Sequence, residues 1–293
     1  YKSLLFKIDS MIDLTGGFGM DVSAFAKRCP ITTHLESCAY LQPYAQQLLK
    51  TQLLPTKSLC TDGIEFLKKT LDSYDLIYLD PSRKTKTNTK AVLLKDYEPN
   101  VIDHLDLLLS KSKRVMIKTS PMLDITAGLK QLQKVGELYV VAVKNEVKEL
   151  LWILSDKEVD QVTLTCINLQ TEQPVFKNLW STQSNTSYSK PQKYLYEPNA
   201  AVMKSQQFDS LMTQYSLEKL DQDAHLFTSK QSVDFPGRVF EIINVIENKP
   251  KNIKRLFAKT ARAVVTRNNK ESVAQLRKKY QFTENDTDYL YLS

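Results

Sequence analysis

Four cysteines, three histidines and two tryptophans are all that this chain of 293 residues carries of those types. Cys29, Cys38, Cys60 and Cys166 are too few and too scattered for a disulfide framework, and no pair has the spacing of a zinc knuckle, so they read as reduced thiols. His34, His104 and His225 do not cluster in sequence with other ligand types, and no metal is expected. No apolar run approaches the roughly 20 residues that cross a bilayer, and no signal-peptide pattern precedes the first strand-like run, which makes the cytoplasm the expected location. The chain opens at Tyr1 rather than Met, as a fragment would. Glycine is scarce as well, with seven residues, yet three of them fall within "MIDLTGGFGMD", Met11 to Asp21.

What is present reads as an ordinary soluble globular composition, 42% apolar and 25% charged, long enough for two or three domains. Short apolar runs fit buried strands at Met11–Leu14, Ile31–Leu35, Ser58–Thr61, Asp75–Leu79 and Arg114–Lys118. Helical spacing lies between them at Val22–Arg28, Leu41–Leu53, Gly63–Leu71, Val101–Leu109 and Met122–Lys134. Such β-α units favour a parallel sheet covered on both faces. Then "ELYVVAVKNEVKELLWILS" gives two long strands with too short a link for a crossover helix, hence an antiparallel pair. After Ser155 the pattern loosens into α+β material: a strand at Val162–Leu169, a polar stretch at Ser181–Gln192, and a helix capped by Asn199. Trp152 reads as core; Trp180 stays open.

The glycine stretch joins a strand to a helix. Gly16, Gly17 and Gly19 allow positive φ and close approach of a ligand to backbone N–H groups, although a tight turn without ligand would use the same residues. Glu36, directly after the second strand, is placed to accept from two ribose hydroxyls, or to cap the next helix. Asp62 follows the third strand, where it can meet an adenine amine or serve only as an N-cap. Val22 stands where a dinucleotide fingerprint needs its third glycine.

The fourth strand ends in "DLIYLDPSRK". Asp80 leaves the sheet there and Pro81 fixes the backbone after it, so the carboxylate can orient an acceptor N–H or take its proton; an Asp-Pro turn is the plain alternative. Arg83, Lys84 and Lys86 lead into a basic loop that can meet phosphates or be merely solvated. Neither "DPSR" nor "IKTSPM" offers a cysteine nucleophile, which disfavours a covalent enzyme adduct, and Cys60 reads as a strand-end packing residue.

Taken together, "DLTGGFG", Glu36, Asp62 and "DPSR" resemble class I S-adenosylmethionine-dependent methyltransferases. "VKNEVKELLW", "YLYEPNAAVMK" and "VVTRNNKESVAQLRKKY" are similar to segments of the bacterial THUMP-like-domain methyltransferases, and the resemblance covers nearly the whole chain. It implies a Rossmann-like sheet with a terminal antiparallel hairpin over residues 1–157, a ferredoxin-like α+β region over 158–222 and a THUMP-like domain over 223–293. It further implies S-adenosylmethionine as cofactor, held by Asp13, Thr15, Gly16, Gly17, Gly19 and Asp21, with Glu36 on the ribose and Asp62 on the adenine. Asp80, Pro81 and Arg83 would face the acceptor. Thr15 stands where the family usually has its first glycine, and "DPSR" lacks the aromatic residue that would stack on a flipped base.

The net charge is +7, and ten basic residues face one acid between Lys251 and Lys279. Lys254, Arg255, Arg262, Arg267, Arg277 and Lys278 are the expected contacts to RNA phosphates; a solvated helix face is the competing reading. With the THUMP-like resemblance, the expected reaction is methylation of a nitrogen on an RNA base, rRNA or tRNA. The alternatives are an RNA-binding or assembly factor on a weakly active methyltransferase fold, or a methyltransferase acting on protein or a small molecule. No membrane partner is expected.

Overall fold

The structure is a computed structural model describing residues 1–83, 94–183, 186–285 and 287–293. It divides into two compact units, Tyr1–Thr171 with Val175–Trp180, and Glu172–Pro174 with Ser181–Ser293.

The first unit alternates β1 (Ser10–Asp13), α1 (Met20–Ala26), β2 (Ile31–Glu36), α2 (Gln42–Thr51), β3 (Thr56–Cys60), α3 (Gly63–Lys69) and β4 (Tyr74–Leu79). A two-residue pairing of β5 (Ser82–Arg83) with β6 (Tyr97–Glu98) follows, then α4 (Leu105–Ser110), β7 (Ser112–Thr119), α5 (Ile125–Leu132), β8 (Val135–Val143), β9 (Glu146–Leu154), β10 (Thr163–Leu169) and β11 (Phe176–Leu179). Nine of these strands form one sheet in the order β11-β10-β8-β9-β7-β4-β1-β2-β3. The five strands from β3 to β7 are parallel, and β9 runs antiparallel between β7 and β8. Helices cover both faces of a parallel sheet, so its central strands are apolar on both sides: Met11, Ile12, Leu76, Ile77 and Leu79 are fully buried. Chain order reverses between β1 and β4, and a cleft at such a switch point, at the carboxyl ends of the strands, is where open α/β sheets bind ligands.

Trp152 of β9 is buried, and its indole N–H donates to Thr119 Oγ1 at 2.9 Å. α5 crosses this ring so closely that a Cβ on Gly128 would lie 2.4 Å from it, which is why a glycine sits mid-helix.

The expected antiparallel pair forms, but it does not close the sheet. β10 adds in parallel to β8, and β11 pairs antiparallel with β10, so the sheet runs past the boundary expected at residue 157. β9 and β10 point in opposite directions with β8 between them, so the link over 155–162 only has to pass one strand end, about 10 Å at ordinary strand spacing. Cys60 is exposed on the edge strand β3, so it is not the packing residue expected from the sequence.

The second unit begins with β12 (Tyr194–Pro198), α6 (Ala200–Ser205), α7 (Phe208–Tyr215), β13 (Glu218–Lys219), β14 (Phe227–Ser229) and β15 (Gly237–Glu241). The strands form an antiparallel sheet, β13-β14-β12-β15. Asn199 caps α6 as expected, accepting from Val202 N–H at 3.1 Å. There follow α8 (Pro250–Phe257), β16 (Ala263–Thr266), α9 (Val273–Tyr280) and β17 (Tyr289–Leu292), with β16 and β17 paired in parallel over Ile253, Val264, Leu276 and Tyr280. Within this unit a cavity of about 740 Å³ is lined by Leu195, Phe240, Ile242, Ile253, Tyr289 and Leu292, among others.

Candidate functional site

The polar residues singled out in the sequence meet at the carboxyl ends of β1, β2 and β4. Asp13 ends β1 and is 1% exposed. Its Oδ1 accepts the Thr15 backbone N–H at 3.0 Å and the Thr15 hydroxyl at 3.5 Å. That hydroxyl in turn accepts the Asp80 backbone N–H at 2.6 Å, so one threonine side chain ties the glycine turn to the end of β4, 65 residues away. A glycine at position 15 could not make this link.

The turn itself rests on a buried histidine. His34 donates through Nε2 to the Gly17 carbonyl at 3.3 Å, and its Nδ1 shares a hydrogen bond with Ser58 Oγ at 3.0 Å. A Cβ on Gly16 would lie 2.2 Å from the His34 ring, so this glycine is a packing requirement. Gly17 and Gly19 have φ of 50° and 78°, and nothing lies within 4 Å of a Cβ built on Gly17, which leaves its face of the turn open. Burial holds the His34 imidazole below its ordinary value, against the pull of its Gly16 and Gly17 hydrogen bonds and of Glu36.

Glu36, ending β2, is 9% exposed and accepts two backbone N–H groups, Gly17 at 2.8 Å and Cys38 at 2.6 Å. Its carboxylate is therefore pinned beside the glycine turn. Asp62 is exposed and caps α3 through Oδ1, accepting from Glu65 N–H at 2.9 Å. Asp21 takes a different part: it accepts the Tyr78 hydroxyl at 2.7 Å and pairs with Lys2 at 2.8 Å, and Lys2 also reaches Glu149 at 3.0 Å. Desolvation alone would raise the Asp21 carboxyl, but Lys2 and the Tyr78 hydrogen bond outweigh it and hold the group below the usual carboxylate range.

At the end of β4, Asp80 pairs through Oδ2 with Lys118 Nζ. Lys118, near the end of β7, was not anticipated; the only signal for it is its place at the next strand end. Pro81 is buried. The Arg83 side chain, Lys84 and Lys86 lie outside the described residues. Burial, reinforced by Asp21 and Asp80 nearby, pushes the Asp13 carboxyl up to about 8 despite its bonds from Thr15. A cationic group bound beside Asp13 would favour its ionised form. Together with the open face at Gly17 and the pinned Glu36, these residues fit a ligand carrying a positive centre and a ribose.

The basic run of the second unit divides in two. Lys254, Arg255 and Lys278 are exposed and, among the described residues, without an ion-pair partner within 4 Å. The other three are engaged. Arg262 lies over the Phe257 ring at 4.8 Å, Arg277 pairs with Glu284 at 2.6 Å, and Arg267 pairs with Glu197. Glu197 is buried on β12 and also holds Arg238 and accepts the Tyr291 hydroxyl at 3.0 Å.

Residues 194–236 match the family model of a ferredoxin-like domain, and residues 237–293 that of a THUMP domain-like module. A comparison with curated proteins finds no significant match. Among solved structures, a candidate methyltransferase from Porphyromonas gingivalis W83 is similar over 99% of this chain and 75% of that one, at 29% identity and a TM-score of 0.88. A candidate class I S-adenosylmethionine-dependent methyltransferase from Listeria monocytogenes overlaps 56% of this chain and 60% of that one at 13% identity, with a TM-score of 0.42. An rRNA methylase from Streptococcus thermophilus overlaps 53% and 91% at 14% identity, with a TM-score of 0.39; at such scores neither of these two carries weight here. The chain thus carries a Rossmann-like methyltransferase sheet, followed by a ferredoxin-like domain at 194–236 and a THUMP-like domain at 237–293.

Proposed function

We propose that the protein is an S-adenosylmethionine-dependent methyltransferase that modifies a nitrogen of an RNA base. The observation that carries this reading is the Thr15 hydroxyl, which joins the glycine turn and Asp13 to Asp80 and so brings a cofactor-type cradle and an acceptor-type carboxylate to one strand-end cleft. The bound cofactor supplies an electrophilic methyl group on a sulfonium. Gly17 and Gly19 offer backbone N–H groups and an open approach, Asp13 and Thr15 meet the amino-acid end, Glu36 takes the ribose hydroxyls, and Asp62 Oδ2 takes the adenine amine.

The acceptor nitrogen forms its bond to the methyl carbon as the carbon–sulfur bond breaks and that electron pair goes to sulfur. Asp80 orients an N–H of the acceptor and receives the proton that the alkylated nitrogen sheds, passing it to solvent. Rate enhancement in such a transfer comes chiefly from alignment, which the shared Thr15 link enforces on both halves of the cleft. The exposed cations Lys254, Arg255 and Lys278 and the THUMP-like match support RNA as the acceptor class.

Calorimetry with S-adenosylmethionine on the parent chain and on Glu36→Ala tests the cofactor site; no heat from the parent overturns it. Mass spectrometry of nucleosides in total RNA, with and without the protein, tests the acceptor. Cofactor binding with unchanged RNA would leave an RNA-binding factor or a methyltransferase for protein or small molecules.

A further inference from the structure

We propose that Lys118 is the positioning residue of the site: it holds the Asp80 carboxylate in place and cancels its charge toward a sulfonium bound in the same cleft. The inference rests on the cofactor reading above and goes beyond it by assigning a residue of β7 that neither the sequence motifs nor the comparisons single out.

The geometry is specific. Asp80 is held at two points, its backbone N–H by Thr15 Oγ1 at 2.6 Å and its carboxylate by Lys118 Nζ. The groups facing it are Asp13 from β1 and Tyr78 of β4, whose hydroxyl is committed to Asp21; Lys118 also lies near enough to Asp21, in the first turn of α1, to help hold that carboxyl down. Lys2 is likewise committed, to Asp21 and Glu149. Among the described residues this leaves Lys118 as the cation paired with Asp80. Both partners are partly shielded, at 27% and 36% side-chain exposure, so their charges are screened less than those of a surface pair. Without Lys118, no other described side chain would fix the Asp80 carboxylate, whose charge would then face the cleft uncancelled while Thr15 still holds its backbone. A paired Asp80 stays in register and presents Oδ1 to the acceptor's N–H.

The test uses two probes that differ by one methyl group and one positive charge, S-adenosylmethionine and S-adenosylhomocysteine, so it needs no acceptor. Calorimetry on the full chain gives the ratio of the two dissociation constants. At about pH 8.5, where carboxylates are ionised, Lys118→Met bares the Asp80 charge and should shift the ratio toward the cationic ligand by ~5-fold. Asp80→Asn bares Lys118 and should shift it the opposite way. Lys118→Met combined with Asp80→Asn should return it close to the parent, and Lys118→Arg should leave it there. These opposed shifts are not what a merely structural loss produces, since that weakens both ligands alike. If Lys118→Met and Asp80→Asn both leave the ratio at the parental value, the inference is overturned while the cofactor reading stands. If the parent binds neither probe, both fall. Should Lys118→Met fail to fold, the Asp80→Asn shift decides.

Discussion

The buried polar groups of the first unit, Asp13, His34 and Glu36, sit at or near neighbouring strand ends and hold loop backbone in place, whereas in the second unit Glu197 is buried against the side chains of Arg238, Arg267 and Tyr291. The cavity of the second unit is lined mostly by apolar side chains. Burying a charge is costly wherever it is done. In one unit that cost fixes the backbone around the glycine turn; in the other it fastens a ferredoxin-like strand to THUMP-like residues.

The comparison breaks most visibly at Gly16. Gly16→Val places carbon atoms into the His34 ring, and overpacking of this kind costs about 3 kcal/mol. Urea unfolding should show the loss, and peptide-resolved hydrogen exchange should place it within residues 1–171 together with loss of S-adenosylmethionine binding. Normal stability with normal cofactor affinity would mean that His34 does not support the turn.

The counterpart in the second unit is Glu197→Ala. Removing one member of a buried pair leaves the other unsatisfied, but Arg238 and Arg267 are 43% and 38% exposed and can rehydrate, so the expected cost is about 2 kcal/mol. Faster exchange should appear in residues 194–293 while cofactor affinity stays at the parental level. A drop in cofactor affinity would contradict the division of labour argued above.

Asp13 gives a pH test. Its folded-state carboxyl is raised to about 8 from an ordinary 3.8, by burial first and by Asp21 and Asp80 second. Between those values the folded chain keeps a proton that the unfolded chain has released, so its contribution to stability is full below the ordinary value and declines as pH rises toward 8. Asp13→Asn removes that decline. It should be more stable than the parent at the upper end of the range, by about 1 kcal/mol or more, and show no advantage at the lower end. Melting curves across the range check this. An advantage that does not grow with pH would show that Asp13 is ionised in the fold.

Much of the first unit was legible because its physics is local. Its central parallel strands are apolar runs, α1 follows a glycine turn, and Asp62 caps α3 as its position announces, as Asn199 caps α6 in the second unit. β10 and β11 were read as the start of the next domain because nothing in "TLTCINL" says which edge it will join; the free side of β8 does. In the site, Asp13, Glu36 and Asp80 could be found as acids at successive strand ends. The Thr15 link to Asp80, the His34 floor under Gly16 and the Lys118 pair could not, since each joins residues on different strands whose approach is set by sheet order. The basic run from Lys251 to Lys279 was visible as composition, yet only side-chain partners separate Arg267 and Arg277 from Lys254, Arg255 and Lys278.

That separation sets up the smallest expected effect. If the exposed cations meet phosphate, replacing Lys254 and Arg255 together by alanine removes two counterion-releasing contacts, and the slope of log affinity for RNA against log salt should flatten by about 1.4 to 1.8. Both side chains stand in the last turn of α8, away from the buried Ile253, so folding should be unaffected. Arg277→Ala, by contrast, removes a cation already satisfied by Glu284 and should change the slope by less than one such contact. Filter binding of total RNA at a series of salt concentrations reads both variants directly. An equal flattening by both would mean that Arg277 releases Glu284 on binding, and no flattening in the double variant would place the RNA contacts elsewhere on the chain.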